Sequence, residues 1–152
     1  FVGEIANARK AKGKGGKMGY MLVLVQCLSR YEKKPVSIEV DGERHDSTLF
    51  SMAIANCKFN GGGMMQAPTA KPDDGILDLT IIRDISKWGV IRNIGRLFSG
   101  EFVKHPAVLQ LKGKNIRITS TKKIRTEVDG EDLGLTPITV TVREKCLRVA
   151  VR

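Results

Sequence analysis

Hydrophobic and polar positions change period several times along this chain, and each change marks an element. Val2–Ala11 has helical character, with alanines along it and Glu4 near its start. Met18–Tyr31 has the length and spacing of a helix, ended by a basic run and Pro35. It reads as a helix buried against a sheet, and a helix lying on a membrane face is the alternative. From Pro35 onward the period falls to two. Val36, Ile38 and Val40 alternate with polar residues, and Asp41-Gly42 supplies a hairpin turn. A return strand is expected over Glu43–Asp46, then strands over Thr48–Asn56 and Ile76–Ile82.

Asp84-Ile85-Ser86 offers caps for a helix over Lys87–Phe98, with Trp88, Ile91, Ile94, Leu97 and Phe98 on one face and Gly100 closing it. The remainder alternates short β-branched runs with turn residues: Val108–Leu111, Ile116–Thr119, Ile124–Val128, Ile138–Val142 and Leu147–Val151. Repeated short strands at this spacing predict an antiparallel β-sandwich or barrel. The expected fold is mainly β with α: that sandwich, an N-terminal helical segment and one inserted helix.

Composition narrows the picture. The 152 residues are 41% hydrophobic, enough for one ordinary core. A net charge of +10 points to an anionic partner: nucleic acid, a negatively charged membrane surface or a phosphorylated ligand. Aromatics are only 5% and do not interleave with a basic stretch, which weighs against a base-stacking platform. Cys27, Cys57 and Cys146 are widely separated in apolar contexts and read as reduced core residues. His45 and His105 lack ligand-like neighbours and read as surface residues. No signal peptide is expected, and the longest apolar run, Met21–Val25, falls far short of the ~20 residues a bilayer span needs. The chain opens on Phe1-Val2-Gly3 without an initiator methionine, as an excised fragment would.

Candidate chemistry is concentrated in three places. Lys10–Lys17 (KAKGKGGK) is glycine-rich and basic but lacks the GxxxxGK[ST] spacing, so it reads as a solvated linker able to meet anionic headgroups. Asn56–Ile82 runs from strand through Gly61–Gly63 and Pro68 to Asp73-Asp74-Gly75 and a second strand. An acidic loop in rigid backbone offers the carboxylate and carbonyl oxygens that Mg²⁺ or Ca²⁺ prefers, and a plain turn is the alternative. The DGE triplet occurs twice. The first, Asp41-Gly42-Glu43, lies between clean alternating strands and reads as a turn only, so Asp41→Asn is expected to leave the activity of the full enzyme nearly unchanged. In the second, Glu127, Asp129, Glu131 and Asp132 place four carboxylates within six residues. That crowding is costly unless a cation or proton transfer uses it, although composition alone still favours a turn. Asp129 and Glu131 would share a face in extended backbone.

In order along the chain, FVGEIA, the helix Gly16–Tyr31, PVSIEVDGE, Ala55-Asn56, the GGGM loop, Ala67-Pro68 with Ala70, DDGILD and the later VDGE resemble the C-terminal domain of soluble bacterial diacylglycerol kinase-like enzymes. These lipid kinases are related to eukaryotic diacylglycerol and sphingosine kinases. The resemblance implies that residues 1–152 are the lipid-binding β-sandwich domain of a two-domain enzyme. That enzyme would transfer the γ-phosphoryl group of ATP to a lipid hydroxyl, with diacylglycerol favoured. The family's nucleotide motif, GGDGT, belongs to an N-terminal domain and does not occur here, so this chain alone is expected to be inactive. Asp129 maps to the family's catalytic base and Glu131 to its acidic companion, which could hold a catalytic magnesium. A structural Mg²⁺ site maps to the Asp74 carboxylate and the backbone carbonyls of Lys71 and Leu77. The implied partners are a lipid substrate, an anionic membrane surface approached from the cytoplasm, and the nucleotide-binding domain, without nucleic acid. A non-catalytic basic β-domain binding anionic membrane or nucleic acid is the rival reading.

Overall fold

A computed structural model describes residues 32–60, 63–146 and 148. The helices expected over Val2–Ala11 and Met18–Tyr31, and the strand expected over Leu147–Val151, lie outside these described residues. Within them, strand alternation does what the period-two pattern requires. Val36, Ile38 and Val40 on β1 (Lys34–Val40) and Ile116 and Ile118 on β6 (Asn115–Thr119) point inward, while their neighbours stay wet.

A four-stranded antiparallel sheet has the order β2-β1-β6-β9, with β2 at Glu43–Leu49 and β9 at Ile138–Thr141. A three-stranded antiparallel sheet has the order β3-β4-β5, comprising Ser51–Ala55, Leu77–Ile82 and Val108–Gly113. One apolar cluster joins them: Val36, Ile38, Val40, Leu49, Ile116 and Ile118 from the first sheet meet Leu77, Leu79 and Ile81 from the second. This is the packing of a sandwich, in which two apolar faces remove each other from water. The fold is therefore mainly antiparallel β, as the sequence pattern predicts.

β4 is buried on both faces. Leu77, Leu79 and Ile81 enter the core, while Asp78 and Thr80 project oppositely onto the loop between β3 and β4. Thr80 Oγ1 donates to Gln66 O at 2.7 Å, and Thr69 Oγ1 to Asp78 Oδ1 at 2.5 Å. Lys112 Nζ lies 3.0 Å from Asp78 Oδ1, so the buried carboxylate is both paired and hydrogen-bonded.

The expected single helix is broken. Lys87–Asn93 forms α1, Arg96–Ser99 forms α2, and a 3₁₀ turn follows over Glu101–Lys104. Ser86 caps α1 by accepting from Gly89 N at 3.0 Å, and Gly100 closes α2 at φ +74°. Ile94 is buried, but Trp88 is 76% exposed, so the continuous apolar face expected over Lys87–Phe98 does not form. The break between α1 and α2 interrupts the 3.6-residue period that would have aligned it. Cys57 and Cys146 are also exposed rather than core residues, because both fall in surface turns beyond strand ends.

Between β6 and β9, the chain leaves the sandwich as a separate two-stranded ribbon, β7 (Arg125–Val128) and β8 (Glu131–Leu135). β8 has no strand-like run in sequence and was not expected as a strand. At the ribbon's base, Thr136 N donates to Ile124 O at 2.9 Å and Ile124 N donates to Thr136 Oγ1 at 3.3 Å.

Candidate functional site

The two DGE triplets adopt the same turn. Asp41 and Gly42 have φ of +49° and +92°, and Asp129 and Gly130 have +49° and +91°. Both loops have two residues, since Val40 pairs with Glu43 and Val128 with Glu131. Positive φ at both central positions is the type I′ pattern, whose twist suits a hairpin. Their carboxylates, however, have opposite surroundings.

Asp41 is tied into the sandwich. Its carboxylate accepts from Asn115 N at 2.8 Å and from Lys114 N at 3.0 and 3.1 Å. These N–H donors, Asn115 foremost and then Lys114, hold its carboxyl below the ordinary value of 3.8. Gly113 permits the approach, because a Cβ there would lie 2.3 Å from Val40 Cγ1 and 2.7 Å from Asp41 Oδ2. Asp41 is therefore more than the plain turn residue expected from its triplet: it fastens β1 to the β5–β6 corner.

Asp129 is exposed at the tip of the ribbon, and Glu131 opens β8 beside it. Neither carboxylate has a hydrogen-bond or ion-pair partner among the described residues. The expected shared face does not arise from extended backbone, since Asp129 sits in the left-handed region. Asp132 behaves differently, accepting from Gly134 N at 2.9 Å and lying 3.5 Å from Arg125 Nε. A bulge at Thr126/Glu127, opposite Gly134 at φ +102°, breaks the register below the tip. Bulges of this kind re-aim the residues beyond them. Val128, Leu133 and Leu135 on this ribbon are large, apolar and exposed.

The second set of predicted residues occupies the loop entering β4. Lys71 and Asp74 are exposed, and Leu77 is buried as the first residue of β4, opposite Gly113. Asp74 Oδ1 accepts from Ile76 N at 3.0 Å, a local turn that leaves Oδ2 without a partner among the described residues. The loop is held at several points: Asp78 on Thr69, Thr80 on Gln66, and Asn56 Nδ2 donating to Pro72 O at 3.4 Å. Among the described residues, no group of three His, Cys, Asp or Glu side chains converges as a metal cluster. One carboxylate with two backbone carbonyls remains a hard-oxygen donor set, which suits an ion that keeps several waters, as Mg²⁺ does. No hydrogen bond or ion pair among the described residues joins this loop to the Asp129 ribbon.

Sequence reasoning missed Asp78, Thr80, Lys114 and Glu144. Polar residues at alternate positions of an otherwise apolar β4 were the available signal for the first two. No sequence signal marked Lys114 and Glu144, because their partners are distant in the chain. His45 and His105 are half-buried: His45 Nε2 lies 3.5 Å from Glu43 Oε1, and His105 Nδ1 accepts from Ala107 N at 3.1 Å.

Comparison with known proteins gives this geometry a context. A diacylglycerol kinase from Staphylococcus carnosus (strain TM300) is 30% identical over 124 residues, covering 80% of this chain and 40% of that protein. The diacylglycerol kinase of Mycobacterium tuberculosis (strain H37Rv) is 24% identical over 143 residues, covering 93% of this chain and 46% of the relative. A crystal structure of a diacylglycerol kinase from Bacillus anthracis str. Sterne superposes with a TM-score of 0.62 at 26% identity, covering 79% of this chain and 43% of that one. The chain thus spans less than half the length of these relatives. Residues 1–151 match the family described as the YegS C-terminal NAD kinase beta sandwich-like domain. The chain belongs to that family, the C-terminal β-sandwich domain of the bacterial diacylglycerol and lipid kinases.

Proposed function

We propose that this chain is the lipid-binding half of an ATP-dependent lipid kinase, with Asp129 as the residue that accepts the proton of the lipid hydroxyl. Diacylglycerol is the favoured substrate, in keeping with the names of the relatives. The nucleotide is then held by a further domain of the same enzyme.

The observation that carries this reading is the contrast between the two DGE turns. The backbone N–H groups of Lys114 and Asn115 bind the Asp41 carboxylate, whereas among the described residues no group binds the carboxylate of Asp129 or Glu131. A carboxylate that is not needed for the fold, at the tip of a bulged ribbon, is available to a substrate hydroxyl. Phosphoryl transfer depends on positioning and charge neutralisation and needs little covalent work from the protein. Asp129 accepts the hydroxyl proton as the lipid oxygen bonds to the γ-phosphorus of ATP and the bond from that phosphorus to the ADP oxygen breaks; Glu131 would contribute oxygen to a catalytic magnesium. A bound Mg²⁺ supplies charge neutralisation at the transferring phosphoryl group. Asp74, with the carbonyls of Lys71 and Leu77, would hold a second, structural Mg²⁺ and so stiffen the loop entering β4. The exposed Val128, Leu133 and Leu135 suit a ribbon that packs against the nucleotide-binding domain.

Asp129→Asn in the intact enzyme tests the assignment. It keeps the size and turn preference but removes basicity. The turnover rate is expected to fall about 10²–10⁴-fold with folding and ATP affinity unchanged. Near-wild-type turnover would overturn the catalytic role and favour a domain that only binds.

A further inference from the structure

We propose that the outer face of α1, built around Trp88, is the surface on which the protein rests against an anionic phospholipid bilayer, with the indole at the boundary between headgroups and acyl chains. The proposal rests on the lipid-substrate reading above and adds where the protein meets its membrane.

Trp88 is the most exposed large hydrophobic residue among those described, at 76%. Neither α1 nor α2 contains a fully buried residue. They are nonetheless tied to the body, because Ile94 between them is buried and Met65 N donates to Leu97 O at 2.8 Å. Ile85 is buried immediately before α1, and Gly89 lies so close to the body that a Cβ would stand 3.0 Å from Ile85 Cγ1. Ser86 caps the first turn, and Asn93 Nδ2 donates to Gly89 O at 2.8 Å. The indole is therefore held outward by a braced turn.

Its neighbours carry the complementary charge. Arg92, one turn on from Trp88, shares its face and is exposed. From Arg83 to Lys104 there are five basic residues, Arg83, Lys87, Arg92, Arg96 and Lys104, against two acidic ones. Both acids are already paired, Asp84 with Lys33 and Glu101 with Lys104. An aromatic with an apolar body and a polar N–H, flanked by cations, matches the bilayer interface. Juxtaposed lysines and arginines are attracted to anionic headgroups. A nucleic-acid partner would want several exposed aromatics, and of Trp88, Phe98 and Phe102 in this segment only Trp88 is exposed.

Trp88 is the only tryptophan in the chain. The difference in emission between the intact protein and its Trp88→Phe variant therefore isolates this indole. Vesicles of phosphatidylglycerol with phosphatidylcholine should shift that emission to the blue, and brominated acyl chains should quench it. Phosphatidylcholine alone should do neither, and salt should reverse the effect. Trp88→Ala and Arg92→Glu should each weaken vesicle co-sedimentation by roughly tenfold with unchanged circular dichroism. If anionic vesicles sediment the protein but Trp88 emission stays put, this face is not the contact, although a lipid substrate survives. If the blue shift depends on protein concentration without vesicles, a second copy covers the face and the proposal falls. If vesicles of neither composition bind the protein, the proposal falls together with the membrane part of the functional reading.

Discussion

Lys114 Nζ lies 2.6 Å from Glu144 Oε1, and the Glu144 side chain fills the space a Cβ on Gly75 would need. The segment after β9 is thereby laid over the acidic turn before β4. The hydrogen bond and charge of Lys114 hold the Glu144 carboxyl below its ordinary value of 4.5. Both groups are half exposed, so the pair positions more than it stabilises.

Gly75 is consequently intolerant of a side chain. Its φ of +70° disfavours an L-residue, and a Cβ would stand 2.8 Å from Glu144 Cδ. Gly75→Ala should lower stability by about 1–2 kcal/mol from the backbone alone. Glu144→Ala should leave the melting temperature nearly unchanged, and adding it to Gly75→Ala should recover the part of the loss due to the clash. Thermal melts of the three variants check this.

Asp41→Asn should destabilise the protein in a pH-dependent way. The folded-state pKa of Asp41 lies below its unfolded value, so its contribution is present above about pH 4 and is lost as pH falls through the folded pKa. The gap in melting temperature between wild type and Asp41→Asn should be widest near neutrality and close in acid. A gap independent of pH would show that charge is not what fastens the corner.

Asp78→Ala should cost about 1–3 kcal/mol, since it removes a carboxylate bonded to Thr69 and Lys112 at a site only 2% exposed. Thr80→Val, which keeps the shape and loses one bond to Gln66 O, should cost about 1 kcal/mol. Denaturant melts measure both. Faster amide exchange over residues 64–70 should accompany each change.

Mg²⁺ should shift the backbone amide NMR signals of Lys71–Leu77 in the intact protein and raise its melting temperature. Asp74→Ala should remove both effects. Unchanged signals in wild type would leave Asp74 with no role beyond its turn to Ile76 N.

What the sequence reveals and what it hides follow from the range of the interactions. The alternation of Val36, Ile38 and Val40 and the apolar run into Ile82 identify sandwich strands, because burying one face is a local demand on every second residue. Both Asp-Gly turns are legible for the same reason. β8 is not, because Glu131–Leu135 pairs through a bulge and its polar residues face solvent on an isolated ribbon. Trp88 misleads because an apolar residue at a helical position is ordinarily core, whereas α1 buries none of its residues and leaves Trp88 outside. Asp41 and Asp129 cannot be told apart by their triplets. What separates them is Asn115, which lies 74 positions from Asp41 and reaches it only through the fold.

β6 and β9 are direct neighbours, pairing from Asn115↔Thr141 to Ile118↔Ile138, so the ribbon between them departs from and returns to one point of the sheet. It is an arm fastened at Ile124 and Thr136, with its acids at the far end. Lengthening or shortening its two strands in register would move Asp129 by several ångströms and leave every contact of the sandwich core in place. The scaffold and the reach of its acidic tip are thus separately adjustable.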